Sequence, residues 1–191
     1  MAELLVDFIT SLDGYASAEG WPGYWGLEGP EYLEWLSRLE QSSEGRYTTL
    51  MGATTYRLMS DFATKSADSS FAAMTAAAKV VFSSTLKNPL AWANSRLVAG
   101  DPVEAVRSMK QEGTSMRTVG SLTLCRSLLE AGLVDRFRVV VFPVVTGKTG
   151  RERIYDGYPD IRMDMIVSQT FDGRMQLLEY EPTVLTGPPG N

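Results

Sequence analysis

Histidine is absent from the 191 residues. Its absence excludes Ser-His-Asp and Cys-His nucleophilic catalysis, and with them the zinc sites built on imidazole; no metal site is expected. Only one cysteine is present, Cys125, so an intrachain disulfide is excluded. Cys125 falls on the apolar face of a predicted helix and reads as a core residue, and a reducing, cytoplasmic location is the expectation. No apolar run approaches the roughly 18 residues of a membrane span, and no basic stretch leading into an apolar segment marks a secretory signal. Basic residues are few as well: 18 Lys and Arg against 23 Asp and Glu give a net charge of -5. They cluster only at Lys148, Arg151 and Arg153, as a phosphate-binding loop or a solvated basic loop. A nucleic-acid partner, which needs a basic patch, is not expected.

The composition is otherwise that of a globular chain, 44% hydrophobic and 21% charged. One domain over residues 1–181 is expected, with a mobile Pro/Gly-rich tail over 182–191. Residues 4–10 read as a buried strand and 11–30 as a loop rich in Gly, Trp and acidic residues. Gly29-Pro30-Glu31 starts a helix, with proline at its first position and an acid at its positive end; Tyr32, Leu33, Leu36 and Leu39 follow at helical spacing. Strands are predicted over 47–51, 79–83 and 116–119, a short helix over 52–60, and a loop with a helical turn over 66–78. Asp101-Pro102-Val103-Glu104 is a helix start with Asp as N-cap and Glu at N3. Ser121 is expected to cap a helix that buries Leu122, Cys125, Leu128 and Leu129 and ends at Gly132. Residues 137–145 are almost wholly apolar, as in a strand covered on both faces. Asp172-Gly173 joins two further strands as a hairpin. Alternating strands and helices closed by a hairpin predict an α/β fold: a mostly parallel central sheet with an antiparallel C-terminal hairpin.

Ligands of such sheets bind beyond the carboxyl ends of the strands. Three strand-to-helix junctions offer hydroxyls, turn amides or a glycine there: Met51 to Thr55, Ser83 to Thr85, and Val119 to Thr123. None matches the P-loop or the G-x-G-x-x-G fingerprint.

Phe8-Ile9-Thr10-Ser11-Leu12-Asp13-Gly14-Tyr15 resembles the opening strand and S-x-D-G turn of the dihydrofolate reductase-like family. Within that family the chain resembles the reductase (C-terminal) domain of the bacterial riboflavin-biosynthesis deaminase/reductase and its stand-alone relatives. Met51 to Tyr56, Lys79 to Leu86, Gly120-Ser121, Leu128 to Asp135 and Phe142 to Gly147 continue the match in order. The resemblance implies a three-layer dihydrofolate reductase-like fold that takes NADPH, with NADH as the alternative. It places the pyrophosphate at Gly52, Ala53, Thr54 and Thr55 and at Gly120, Ser121, Leu122 and Thr123. Ser83 and Ser84 then approach the adenosine ribose and its 2′-phosphate, and the backbone at Ile9 and Ala16 holds the carboxamide. The substrate, a small pterin- or aminouracil-like heterocycle, would lie against the helix of Tyr32 to Leu39. A homodimer through the C-terminal strands is also implied.

Three positions depart from the family pattern. Ala53 stands where an arginine commonly pairs with phosphate, Ser121 replaces a glycine, and Tyr32 occupies the place of the helix acid. Glu28, Glu31 and Tyr32 are the candidate catalytic groups. Asp13, Trp25 and Leu36 are the candidate substrate contacts, Asp13 equally reading as a turn residue before Gly14. Trp21, Tyr24 and Trp25 form an aromatic cluster suited to stacking on a flat ring. Two functions stand: an NAD(P)H-dependent reductase, and a catalytically silent dinucleotide- or ligand-binding protein on the same fold. A flavin-dependent enzyme on a similar sheet is a third.

Overall fold

The computed structural model describes residues 2–20, 25–43, 45–65 and 69–190; Trp21 and Tyr24 of the aromatic cluster lie outside them. Seven strands follow the predicted order: β1 (Leu4–Ser11), β3 (Thr48–Gly52), β4 (Lys79–Phe82), β6 (Met116–Thr118), β7 (Arg136–Phe142), β9 (Ile161–Phe171) and β10 (Met175–Val184). Three were not foreseen: β2 (Tyr15–Ala18), inside the expected loop, β5 (Ser95–Val98) and β8 (Gly150–Arg153). Each is four residues long with little apolar patterning and exists by virtue of its partner. β2 pairs with β8 as a separate two-stranded sheet, and β5 adds to the edge of β4.

The main sheet has the order β5-β4-β3-β6-β1-β7-β10-β9. The pairings from β5 through β7 are parallel, and β10 and β9 close the sheet antiparallel. Alternation along β1 and β7 sorts side chains to two faces. Leu4, Val6, Phe8, Phe137 and Val139 pack with α4 (Pro102–Gln111) and α5 (Leu122–Glu130), through Val106, Met109, Leu124, Cys125 and Leu128. Val140, Phe142 and Leu177 pack with Tyr32 of α1 (Pro30–Ser43) on the other face. Met51 and Val81 pack there with Tyr56 of α2 (Ala53–Lys65). The result is three layers, the α/β architecture expected. The 66–78 segment holds more helix than expected, α3 (Ser69–Ala76), and β10 runs to Val184, so residues 182–184 belong to the sheet rather than to a tail.

Two helix starts show how local signals were completed. Asp101 caps α4 as its sequence indicates, accepting the Val103 N–H at 2.9 Å. The cap of α1 comes from far away. Asp172, in the β9–β10 turn, accepts the N–H groups of Glu31 and Tyr32 at 3.1 and 3.2 Å. The Glu31 carboxylate in return accepts the Asp172 N–H at 2.5 Å. Gly29 leaves the room for this: a Cβ there would stand 2.2 Å from the Asp172 carboxyl carbon. Asp172 sits at φ 51°, which aspartate tolerates better than alanine. Asp172→Ala is therefore expected to cost about 2 kcal/mol, as a lost cap plus the left-handed backbone, and Asp172→Asn under about 1 kcal/mol. Urea unfolding of the two variants checks this.

Candidate functional site

A cleft of about 760 Å³ opens at the carboxyl ends of β1, β3 and β6. Gly52 to Thr55 form one side and Asp7, Phe8 and Ile9 the other, with Thr118 to Leu124 between them. Ala16, Ser17 and Glu152 complete the rim, and Arg126 is the one cation that lines it among the described residues. Leu58, Met59 and Phe62 of α2 and Met74 of α3 add an apolar wall.

The two turns that flank the cleft are tied together by Ser121. Its residue is left-handed (φ 64°), and its side chain makes no capping bond to its own helix. The hydroxyl accepts the Gly52 N–H at 2.8 Å and donates to Thr55 Oγ1 at 2.9 Å or to Val119 O at 3.2 Å. Ser121 thus departs from the expected capping role. Because its hydroxyl is spent across the cleft, the first turn of α5 faces the cleft without a side-chain cap. A helix start in that condition is an anion site by geometry and dipole. Gly120 makes the close approach possible: it has φ 53°, and a Cβ would lie 3.1 Å from Thr55 Oγ1. These features fit a phosphate-bearing ligand.

Of the expected cofactor contacts, Ile9, Ala16, Gly52, Ala53, Thr54, Thr55, Gly120, Ser121, Leu122 and Thr123 all line this one cleft. Ser83 and Ser84 do not. The Ser83 hydroxyl accepts the N–H groups of Thr85 and Leu86, both at 3.0 Å, and so closes its own turn. Arg57, one helical turn beyond Ala53, donates to Thr85 Oγ1 at 3.4 Å and brings a cation to that turn.

The expected catalytic and substrate residues fall elsewhere. Glu31 is engaged with the Asp172 N–H, and Glu28 stands in the segment before α1, outside the cleft lining. Tyr32 is buried edge-on to Phe142 and Phe171 and stacks on Trp35. Trp25 and Leu36 pack against the same cluster. Asp13 accepts from the Ser11 hydroxyl (2.6 Å) and from the N–H groups of Gly147 (2.8 Å) and Thr146 (3.2 Å). Desolvation opposes its ionisation, but these donors outweigh it and hold its pKa at about 2. Asp13 therefore pins the β1–β2 turn to the loop after β7. Arg151 and Arg153 belong to β8, where Arg151 pairs with Glu19.

Sequence reasoning missed Asp7, Leu58, Met59 and Phe62. Leu58 and Phe62 are 46% and 36% exposed; apolar spacing along α2 could have marked them, but not that they face a cleft. Asp7 stands inside the apolar run of residues 4–10. It pairs with Arg138, Nη2 to Oδ2 at 2.6 Å and Nε to Oδ1 at 3.0 Å, across adjacent strands 131 residues apart. Among the described residues there is no cluster of ligands that could hold a metal, and no helix is long and apolar enough to cross a membrane.

Comparison with known proteins agrees with this architecture. The Bacillus subtilis (strain 168) protein YyaP is 22% identical over 187 residues, 93% of each chain. A protein described as a riboflavin biosynthesis protein from Shewanella sp. PV-4 superposes with a TM-score of 0.70 at 17% identity, covering 96% of this chain and 99% of that one. The diaminohydroxyphosphoribosylaminopyrimidine deaminase/5-amino-6-(5-phosphoribosylamino)uracil reductase of Thermotoga maritima superposes with a TM-score of 0.66 at 14% identity, covering 95% of this chain and 57% of that one. The model of the RibD C-terminal domain matches residues 2–177, so nearly the whole chain, cleft included, belongs to the RibD C-terminal domain family.

Proposed function

We propose that the protein is an NAD(P)H-dependent reductase of a small heterocycle. The observation that carries the reading is the convergence of two helix starts, Gly52 to Thr55 and Gly120 to Thr123, on one cleft, tied by the Ser121 hydroxyl. Family membership supports an oxidoreductase, and the printed activity of the Thermotoga relative supports an aminouracil-like substrate. The turn amides would hold the pyrophosphate, and the backbone at Ile9 and Ala16 the nicotinamide. When bound, the dinucleotide supplies a hydride. The apolar wall of Leu58, Met59 and Phe62 would keep water from the substrate. The exposed Met165 and Ile166 on edge strand β9 support a homodimer through the C-terminal strands.

Titration with NADPH and NADH, followed by quenching of the four tryptophans, tests the reading. Binding of either below about 1 mM is expected; binding of neither overturns it. Arg57 stands in for the charge that Ala53 lacks. Arg57→Ala should weaken NADPH about fivefold and leave NADH unchanged, an effect sized for an exposed charge. Equal effects on both would remove Arg57 from 2′-phosphate recognition.

A second reading, a dinucleotide-binding protein without turnover, is favoured by one observation. Among the described residues, the carboxylates lining the cleft are Asp7, ion-paired to Arg138, and Glu152 on the exposed β8. Neither is placed as a ready proton donor. Tight NADPH binding without oxidation in the presence of pterin or aminouracil compounds would select it.

A further inference from the structure

The Asp7–Arg138 pair lies on the adjacent strands β1 and β7, on the face turned toward α1. The Arg138 side chain is 7% exposed and its guanidinium lies 5.6 Å from the centre of the Trp35 ring. Burying such a pair costs several kcal/mol of desolvation, and a well-packed apolar pair of the same volume is often the more stable choice. The Asp7 side chain, in contrast, is 25% exposed and lines the cleft. Two parallel N–H donors fix its carboxylate in one orientation, while each oxygen retains acceptor capacity. Its own backbone N–H is directed to Thr118 Oγ1 at 3.4 Å, and Thr118 lines the cleft too. Leu58, Met59, Phe62 and Met74 supply an apolar surface in the same cleft.

We propose that Asp7 is the recognition group of the substrate half of the cleft, held in place by Arg138. It takes a flat ligand that presents an amidine-like edge of N–H donors to Asp7 and turns away one that presents a carboxylate there. The proposal rests on the reading of the cleft as a dinucleotide-and-substrate site. It identifies a specificity-determining acceptor, because both Asp7 oxygens are oriented as acceptors by the Arg138 fork.

The test uses the full chain and three probes of one shape: benzamidine, benzamide and benzoate, followed by amide chemical shifts in NMR. Benzamidine is expected to bind about tenfold tighter than benzamide, with benzoate inert at the same concentration. The shifts should centre on Asp7, Ile9 and Thr118. Asp7→Asn should bring benzamidine down to the benzamide level. Equal binding of the three probes, shifts centred elsewhere, or a preference that survives Asp7→Asn overturns the proposal. Where Asp7→Asn alone fails to give a cooperative urea transition, Asp7→Asn/Arg138→Gln removes both charges at similar volume and must show the same loss. NADPH titrated separately keeps the two readings apart. A chain that fails to bind it yet shows the Asp7-dependent preference loses the reductase reading and keeps the amidine site.

Discussion

Replacing Lys79 by methionine is expected to destabilise the protein by roughly 3 kcal/mol, the size of effect seen when one partner of a buried charged network is removed. Lys79 opens β4 and is 1% exposed. Its ammonium donates to the carbonyls of Met74 (2.8 Å), Thr75 (2.9 Å) and Ala77 (2.7 Å), and stands 4.6 Å from the centre of the Trp92 ring. It closes the C-terminal end of α3, where helix carbonyls lack intrahelical partners. Methionine fills the volume but removes the donor from the Met74 and Ala77 carbonyls, while Thr75 O keeps the Asn94 amide at 3.1 Å. Urea unfolding measures the loss, and a change under about 1 kcal/mol would mean that water replaces the ammonium. Because α3 carries Met74, one wall of the cleft depends on the same contact.

The pH dependence of this contact has a definite sign. Burial lowers the Lys79 pKa to about 8, whereas an unfolded lysine titrates near 10.4. Between these values the unfolded chain binds the extra proton, so stability rises with pH across that window. Wild type should gain stability relative to Lys79→Met between about pH 7 and about pH 10. A constant difference between the two proteins would contradict the assignment.

Gly120→Val should weaken dinucleotide binding by at least about thirtyfold, some 2 kcal/mol. The residue sits at φ 53°, where a β-branched side chain is strained by about 1–3 kcal/mol. A Cβ would press on Thr55 Oγ1 at 3.1 Å, the atom that the Ser121 hydroxyl reaches. Displacing Thr55 moves the start of α2 relative to the start of α5, and the two sets of amides then no longer converge on one anion. Gly120→Ala, with less bulk, should fall between. NADPH titration on variants that retain a cooperative urea transition separates lost binding from lost folding. An unchanged Kd in a folded Gly120→Val would place the pyrophosphate elsewhere.

Much of the fold was legible because its signals are local. The buried run of β7, the Asp101-Pro102-Glu104 start of α4, the Asp172-Gly173 turn and the order of strands and helices each rest on residues within a few positions of one another. The three strand-to-helix turns were legible for the same reason, and two of them meet at the cleft. What stayed hidden depends on partners distant in the chain. Nothing near Glu31 indicates that its carboxylate accepts the Asp172 N–H, 141 residues away. Nothing near Ser121 indicates that its hydroxyl serves Gly52 rather than its own helix. β8, with the sequence Gly-Arg-Glu-Arg, has no apolar pattern and becomes a strand only against β2. Asp7 breaks an apolar strand as read along the chain, and is set against Arg138 at the cleft only when β1 and β7 lie side by side. Local propensity and periodicity thus determined seven of the ten described strands, the helices α1, α2, α4 and α5, and their order. Which polar groups are spent on holding those elements together, and which are left facing the cleft, was decided by tertiary pairing, because a hydrogen bond is satisfied by proximity in space and not in sequence.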